Sequence, residues 1–445
     1  MKGACLAMAL VLAGLPAAFA ASDDAQAVER TRQTLLYGID SQVLEVVQRI
    51  SSTRDGRFTK ELVSVVLETR SADLKKAILG VFEDQKLKEG EAAARQFLGD
   101  SEHQSGDVLI ASLRYLAAID ATGLASLLVP LIDSADNGVA SAAIRACGKS
   151  AEPACAAALE AKLRSPDFPD ARKADLILAL GDLKDQKVVD DLIAIAKNAD
   201  EDKIRRLYAA DALGKIGDPR AVPVLKDMFA ENDALVRAYA ASALSHFSVD
   251  EAFPMLIQGL KDDDWRVREQ SAKALTGKLS GGQIDTALPV LEYKARYDPV
   301  AQVRTASINA LGSLGSGQAE DILAKLYQAA GNPLETRESA LRALTGRSLS
   351  RAIDAANAVV AAEGKAFDQK PIEATARVLS ETQGAGLKGI YSTLLASGDA
   401  VVRAYAVRGI GANGISEMKD RVKELSTKDP SPLVQREAEK ALSKL

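Results

Sequence analysis

One phrase recurs along the chain and limits what it can fold into. It reads Ala234-Leu-Val-Arg237-Ala-Tyr-Ala-Ala-Ser-Ala-Leu244, then Trp265-Arg-Val-Arg268-Glu-Gln-Ser-Ala-Lys-Ala-Leu275. It returns as Ala301-Gln-Val-Arg304-Thr-Ala-Ser-Ile-Asn-Ala-Leu311 and as Ala400-Val-Val-Arg403-Ala-Tyr-Ala-Val-Arg-Gly-Ile410. With the arginine as anchor, the register extends over Lys75, Leu109, Ala140, Lys173, Arg206, Arg237, Arg268, Arg304, Arg337, Ile372, Arg403 and Gln435. The spacing is about 33 residues, the range of stacked helix-pair units. Lys75 and Leu109 hold their places mainly by spacing.

Each unit reads as two helices. In the unit that opens at Asp218-Pro219, Val222, Val224, Leu225, Met228 and Phe229 give one apolar face. Glu231-Asn232-Asp233 makes a turn. Val236, Ala240, Ala241 and Leu244 then give a second face at helical spacing. Gly and Asp-Pro punctuate the joins, where helices stop and restart. No run of alternating β-branched residues is long enough for a sheet. The composition, 47% hydrophobic but only 4% aromatic, suits helices that approach closely and bury each face against a neighbour. The expected fold is all-α, an α-solenoid of roughly a dozen helix pairs over residues 31–445, with degenerate units before 130 and at 345–395.

The pattern Asp-x-x-Val-Arg-x-x-Ala-x-x-Ala-Leu, seen at Asp233, Asp264 and, in part, Asp399, resembles HEAT repeats. It is similar to the short bacterial kind related to phycobilisome-lyase repeats. It continues into Gly-x-Leu/Ile-Gly at Gly214–Gly217 and Gly312–Gly315. The resemblance implies a right-handed superhelix whose concave face is lined by the second helix of each pair. It implies no single function, because such arrays serve many partners.

The N-terminus reads as a leader. Met1-Lys2 is basic, Leu6 to Leu15 is apolar, and Ala18-Phe19-Ala20 fits the small-x-small cleavage rule. Residues 1–20 are expected as a signal peptide and 21–30 as a short polar linker. The apolar stretch is short for a membrane span, and nothing beyond the leader points to a membrane. Export to a periplasm or to the outside is the expectation. Loss of Lys2 with the leader takes the net charge from -5 to -6 (one less). That balance argues against a nucleic-acid partner.

A search for chemistry returns little. Two histidines, His103 and His246, lie far apart, and no metal-ligand spacing joins them to cysteine. There is no nucleophile elbow. Two Gly-x-Gly-x-x-Gly strings, at Gly384–Gly389 and Gly409–Gly414, lack the strand that dinucleotide binding needs and read as turns between helices. No cofactor is expected. Cys147 ends one helix and Cys155 starts the next, so a disulfide between them is an expectation in an oxidising compartment, beside two small buried thiols.

Two columns of side chains remain. Arg237, Arg268, Arg304, Arg337 and Arg403 read as a structural ladder. Asp233, Asp264 and Asp399 would cap the second helices and pair with arginines of their own or a neighbouring unit. Asp262-Asp263-Asp264 reads as a solvated turn. Two residues past the anchor, Tyr208 and Tyr239 are expected to face outward, with Trp265 and Arg266 in an adjoining turn. Exposed aromatics beside an arginine suit a protein or peptide partner. The leading expectation is an exported, non-enzymatic scaffold that binds a protein or peptide partner on the concave face. A lyase-like enzyme or accessory, and a binder of envelope glycan or lipid headgroups, stand as alternatives.

Overall fold

A computed structural model describes residues 15–247, 249–275, 279–364 and 369–445, with side chains from residue 25 except at residue 249. Among the described residues there are twenty-six α-helices and no strand. Every anchor found by spacing lies on the second helix of a pair, and a further pair, Leu15–Tyr37 with Asp40–Thr53, precedes the first anchor.

The chain divides into two compact units. The first is residues 1–195 and 200–212, the second 196–199 and 213–445. In the first unit, the second helices Asp40–Thr53, Ala72–Gln85, Gly106–Ala118, Asn137–Ser150 and Asp170–Asp182 pack one on the next. The first helices Thr59–Glu68, Glu91–Gly99, Ala125–Leu131 and Pro153–Leu163 form the other layer. The second unit repeats the plan. Ala234–Leu244, Trp265–Ala274, Ala301–Ser313, Leu334–Arg347, Lys370–Ser380, Ala400–Ala412 and Pro432–Leu442 are its second helices, each packed on the next. The core lies between the layers. Leu225, Met228, Val236, Ala240, Ala241 and Leu244 are all buried, as their periodicity requires.

The Gly-x-Leu/Ile-Gly string has a two-part explanation. Its first glycine sits where successive second helices nearly touch. A Cβ on Gly181 would lie 2.7 Å from the Ala212 Cα, and one on Gly214 would lie 2.8 Å from the Ala243 Cα. Gly148 and Gly411 face Ala179 and Ala441 in the same way. The last residue of the string ends the helix in the left-handed region. Gly217 has φ 72° and Gly315 has φ 67°, which glycine adopts without a steric cost. At the corresponding place Ala151 and Lys184 take φ 53° and 55°. The same packing corrects the reading of the second glycine-rich string. Gly409 and Gly411 lie inside helix Ala400–Ala412, against the Tyr391 ring and Ala441, and only Gly414 is in the turn. The Gly384–Gly389 string does begin in a turn, after Lys370–Ser380, and ends inside the next helix, Lys388–Leu394.

The degenerate stretches keep the fold because burial survives where the Asp and Arg do not. Ile372, Ala376 and Leu379 are buried in Lys370–Ser380, as are Val108, Leu109, Leu113 and Leu116 in Gly106–Ala118. Of the expected leader, residues 1–14 lie outside the described residues. The cleavage point after Ala20 and the segment 21–30, expected as a polar linker, fall within helix Leu15–Tyr37. That segment holds Ala21, Ala25 and Ala27 with Gln26, Glu29 and Arg30, residues that favour helix. No described helix is long and apolar enough to cross a membrane.

Glycine is therefore expected to answer one substitution in two ways. Gly214→Ala should lower stability by about 1–3 kcal/mol through overpacking against Ala243. Gly80→Ala, inside Ala72–Gln85 with nothing within 4 Å of the added carbon, should raise it by about 0.5–1 kcal/mol. Urea unfolding followed by circular dichroism checks both. Equal effects at the two sites would remove the close-approach explanation.

Candidate functional site

The arginine column builds the joints within the second unit. Asp233, Asp264 and Asp399 cap their helices: Asp233 Oδ1 accepts from Leu235 N at 2.9 Å, Asp264 Oδ1 from Arg266 N at 2.8 Å and Asp399 Oδ1 from Val401 N at 2.7 Å. The arginine fork engages other groups. Arg268 Nη1 donates to the Asp262 and Asp263 carbonyls of its own turn, each at 2.9 Å. Its Nε and Nη2 donate to both oxygens of Asp298 in the next pair, at 2.8 and 3.0 Å. Arg237 bridges in the same manner to Asp262, and Arg403 to Asp429. Arg304 keeps the carbonyl contacts but meets the Thr336 hydroxyl instead of a carboxylate. Arg337 pairs with Glu363 and donates to the Tyr327 carbonyl.

Spacing alone did not single out Asp262, Asp298 and Asp429. A signal was present: each stands six residues before an anchor, at Arg268, Arg304 and Gln435. Each also turns the chain into the cap, since Asp262 accepts from Asp264 N, Asp298 from Val300 N and Asp429 from Ser431 N. Asp262-Asp263-Asp264 is thus not a solvated cluster. Asp262 clamps, Asp264 caps and Asp263 is exposed. The last pair shows the rule by replacement, because Gln435 Nε2 reaches the Asp429 carbonyl at 2.8 Å.

Electrostatics follows from that geometry. Burial pushes the Asp298 carboxyl up, but hydrogen bonds from Arg268 and Val300 N–H, with the charges of Arg268 and Lys294, outweigh it and hold the group below the usual carboxylate range. Arg403 does the same for Asp429 chiefly by its hydrogen bonds. Asp262, burial notwithstanding, is also held low by Arg237.

The aromatic column is less exposed than its spacing implies. Tyr208, Tyr239 and Trp265 are half-buried, and Arg266 is exposed. Trp265 and Arg266 are brought together, the guanidinium 4.8 Å from the ring centre. Arg266 also meets Asp264 at 3.2 Å. Tyr208 belongs to the first unit; Tyr239, Trp265 and Arg266 belong to the second. Ala306, which stands two residues past the anchor Arg304 and so at the equivalent position, is buried at 4% exposure.

On the same row of helices the second unit has an open groove of about 450 Å³, lined by Glu269, Lys273, Gln302, Thr305, Asn309 and Glu335. Lys273 and Glu269 pair at 2.8 Å. Gln302 and Asn309 are exposed. The sequence reading missed this surface, since none of these residues is aromatic or repeats in type. His103 pairs with Asp100, which raises its pKa, and His246 is exposed after Ala234–Leu244. Among the described residues no three of His, Cys, Asp or Glu cluster in a way that could hold a metal.

Asp298→Ala is expected to cost about 3–5 kcal/mol, because it strands the buried Arg268 charge. Asp264→Ala removes a cap and an exposed pair and should cost about 1 kcal/mol. A depressed folded-state pKa makes the Asp298 contribution complete above its unfolded value of about 4 and lost as pH falls through the folded one. Unfolding midpoints measured between pH 6 and about pH 2 should therefore fall less steeply in Asp298→Asn than in the native chain. Parallel curves would contradict the assignment.

Comparison with known proteins follows the same lines. A search of curated proteins finds no match. Among solved structures, the karyopherin Kap121p bound to the extreme C-terminus of the protein phosphatase Cdc14p is 14% identical, with a TM-score of 0.43, over 93% of this chain and 53% of that one. The chain thus spans about half the karyopherin's length. The complex of CpcE and CpcF of phycocyanin lyase from Nostoc sp. PCC7120 is 20% identical, with a TM-score of 0.35, over 53% of this chain and 94% of that one. Human deoxyhypusine hydroxylase in complex with glycerol is 18% identical, with a TM-score of 0.27, over 57% and 94%. A family model described as Spirochaete HEAT repeat protein matches residues 35–441. With its helix pairs, its Asp caps and its arginine joints, the chain belongs to that family of HEAT-repeat proteins.

Proposed function

We propose that the protein is an exported, non-enzymatic scaffold that holds a protein or peptide partner on the solvent-facing side of its second helices. The groove between Trp265–Ala274, Ala301–Ser313 and Leu334–Arg347 carries this reading. Its Gln302 and Asn309 carboxamides have no hydrogen-bond partner among the described residues, and each offers both a donor and an acceptor. Such groups suit the peptide backbone and side chains of a partner, while Trp265 under Arg266 supplies the amphipathic ring that binding anchors favour. The arginines of the repeat are already engaged, which leaves the groove and not the ladder as the recognition surface.

Export rests on the leader sequence at residues 1–20. The intact mass of protein recovered from the cell envelope should place its first residue at Ala21. Recovery of the chain with its leader attached would contradict export by cleavage.

Partner capture from envelope extracts by the purified chain, compared with Gln302→Ala/Asn309→Ala and with Tyr239→Ala/Trp265→Ala, tests the groove and the rings. Each double substitution should weaken capture at least about tenfold, or ~1.4 kcal/mol, and leave helical circular dichroism intact. Unchanged capture with a sharp loss of thermal stability would make both rings packing residues.

A further inference from the structure

Two thiols in the first unit meet where consecutive helix pairs join. Cys147 lies in the last turn of Asn137–Ser150 and Cys155 in the first turn of Pro153–Leu163. Both are free, fully buried and 2.7 Å apart, sulfur to sulfur. Ala151 at φ 53° reverses the chain between them. A bond needs only a closure to about 2.05 Å.

The short link between them does work for another element. Ser150 Oγ donates to the Cys147 carbonyl and accepts from Glu152 N. The Glu152 carboxylate accepts from Leu124 N at 2.7 Å and Ala125 N at 3.1 Å. Those amides lead into Ala125–Leu131, a helix for which Leu124, the residue just before it, supplies no capping side chain. Glu152 is thus the cap of the preceding pair, delivered from the link that the two cysteines bracket.

We propose that Cys147 and Cys155 form an intramolecular disulfide that clamps this link and with it the Glu152 cap on the preceding pair. The oxidant is a low-molecular-weight disulfide. One protein thiolate attacks it and releases one thiolate, and the second protein thiolate then displaces the other. Two electrons pass from the cysteines to the oxidant and two protons are released. The hydrogen bond from the Cys147 thiol favours thiolate at Cys155, while that contact and burial keep Cys147 protonated. Because both sulfurs are buried, exchange in either direction requires local opening.

The purified full chain, equilibrated with glutathione disulfide and then alkylated without reductant, should carry no label at either cysteine and weigh two hydrogens less than the reduced chain. Labelling of both thiols would overturn the proposal. Hydrogen exchange at Leu124 and Ala125 should be at least about tenfold slower in the oxidised than in the dithiothreitol-reduced chain, equal to ~1.4 kcal/mol of local opening. Equal exchange would overturn the clamp. Cys155→Ala should exchange at the reduced rate under both treatments. A redox response in that variant would place the effect elsewhere. These readouts involve no partner, so they stand or fall apart from the binding face.

Discussion

A planar guanidinium that holds two turns at once is the interaction on which the second unit depends. Arg268 satisfies two carbonyls left over at its own turn and both oxygens of a carboxylate in the next pair. Lysine cannot do this, since it lacks the rigid fork that directs donors to both sides. The buried Asp298 in turn shapes the backbone that leads into the next helix. At three joints, Arg237–Asp262, Arg268–Asp298 and Arg403–Asp429, distance and orientation between consecutive pairs are therefore set by one arginine and one acid. Hydrophobic burial supplies most of the energy of a stacked array. The clamp supplies the register, and it tolerates burial only because every charge is paired.

The close approach of helices is the second constraint, and it explains the composition. Successive second helices pack Gly against Ala at Gly181 and Ala212, and at Gly214 and Ala243. Larger side chains would hold the rows apart. Aromatic residues are accordingly few, and those that are buried fill particular spaces. Tyr391 lies under Gly409 and donates its hydroxyl to the Leu379 carbonyl, while Tyr327 meets Thr375. A half-buried Tyr239 is consistent with this economy, in which a ring on the outer column still leans on its neighbours.

Much of the fold is legible in residue spacing. Anchors at Arg237, Arg268, Arg304 and Arg403 located their helices, and the apolar positions around them are buried. The partners of those arginines were not legible. An Asp four residues before the arginine draws attention because it is local, yet it caps; the clamp comes from a residue in the next pair, as at Asp298 for Arg268. Long-range pairing leaves no mark until the repeats are aligned on the turn. Ile372 shows a second limit, since it is buried at an anchor position but carries no guanidinium to reach the next turn. The groove at Gln302 and Asn309 was invisible because an open surface imposes no periodic pattern.

If the clamp sets the joint, its two halves must be energetically coupled. A double-mutant cycle on Arg268→Ala and Asp298→Ala, read by urea unfolding, measures that directly. The account predicts that the second removal costs far less than the first, with a coupling of about 1.5–3 kcal/mol. Additive costs, agreeing within about 0.5 kcal/mol, would mean that the two side chains act separately and that the joint is held by packing alone.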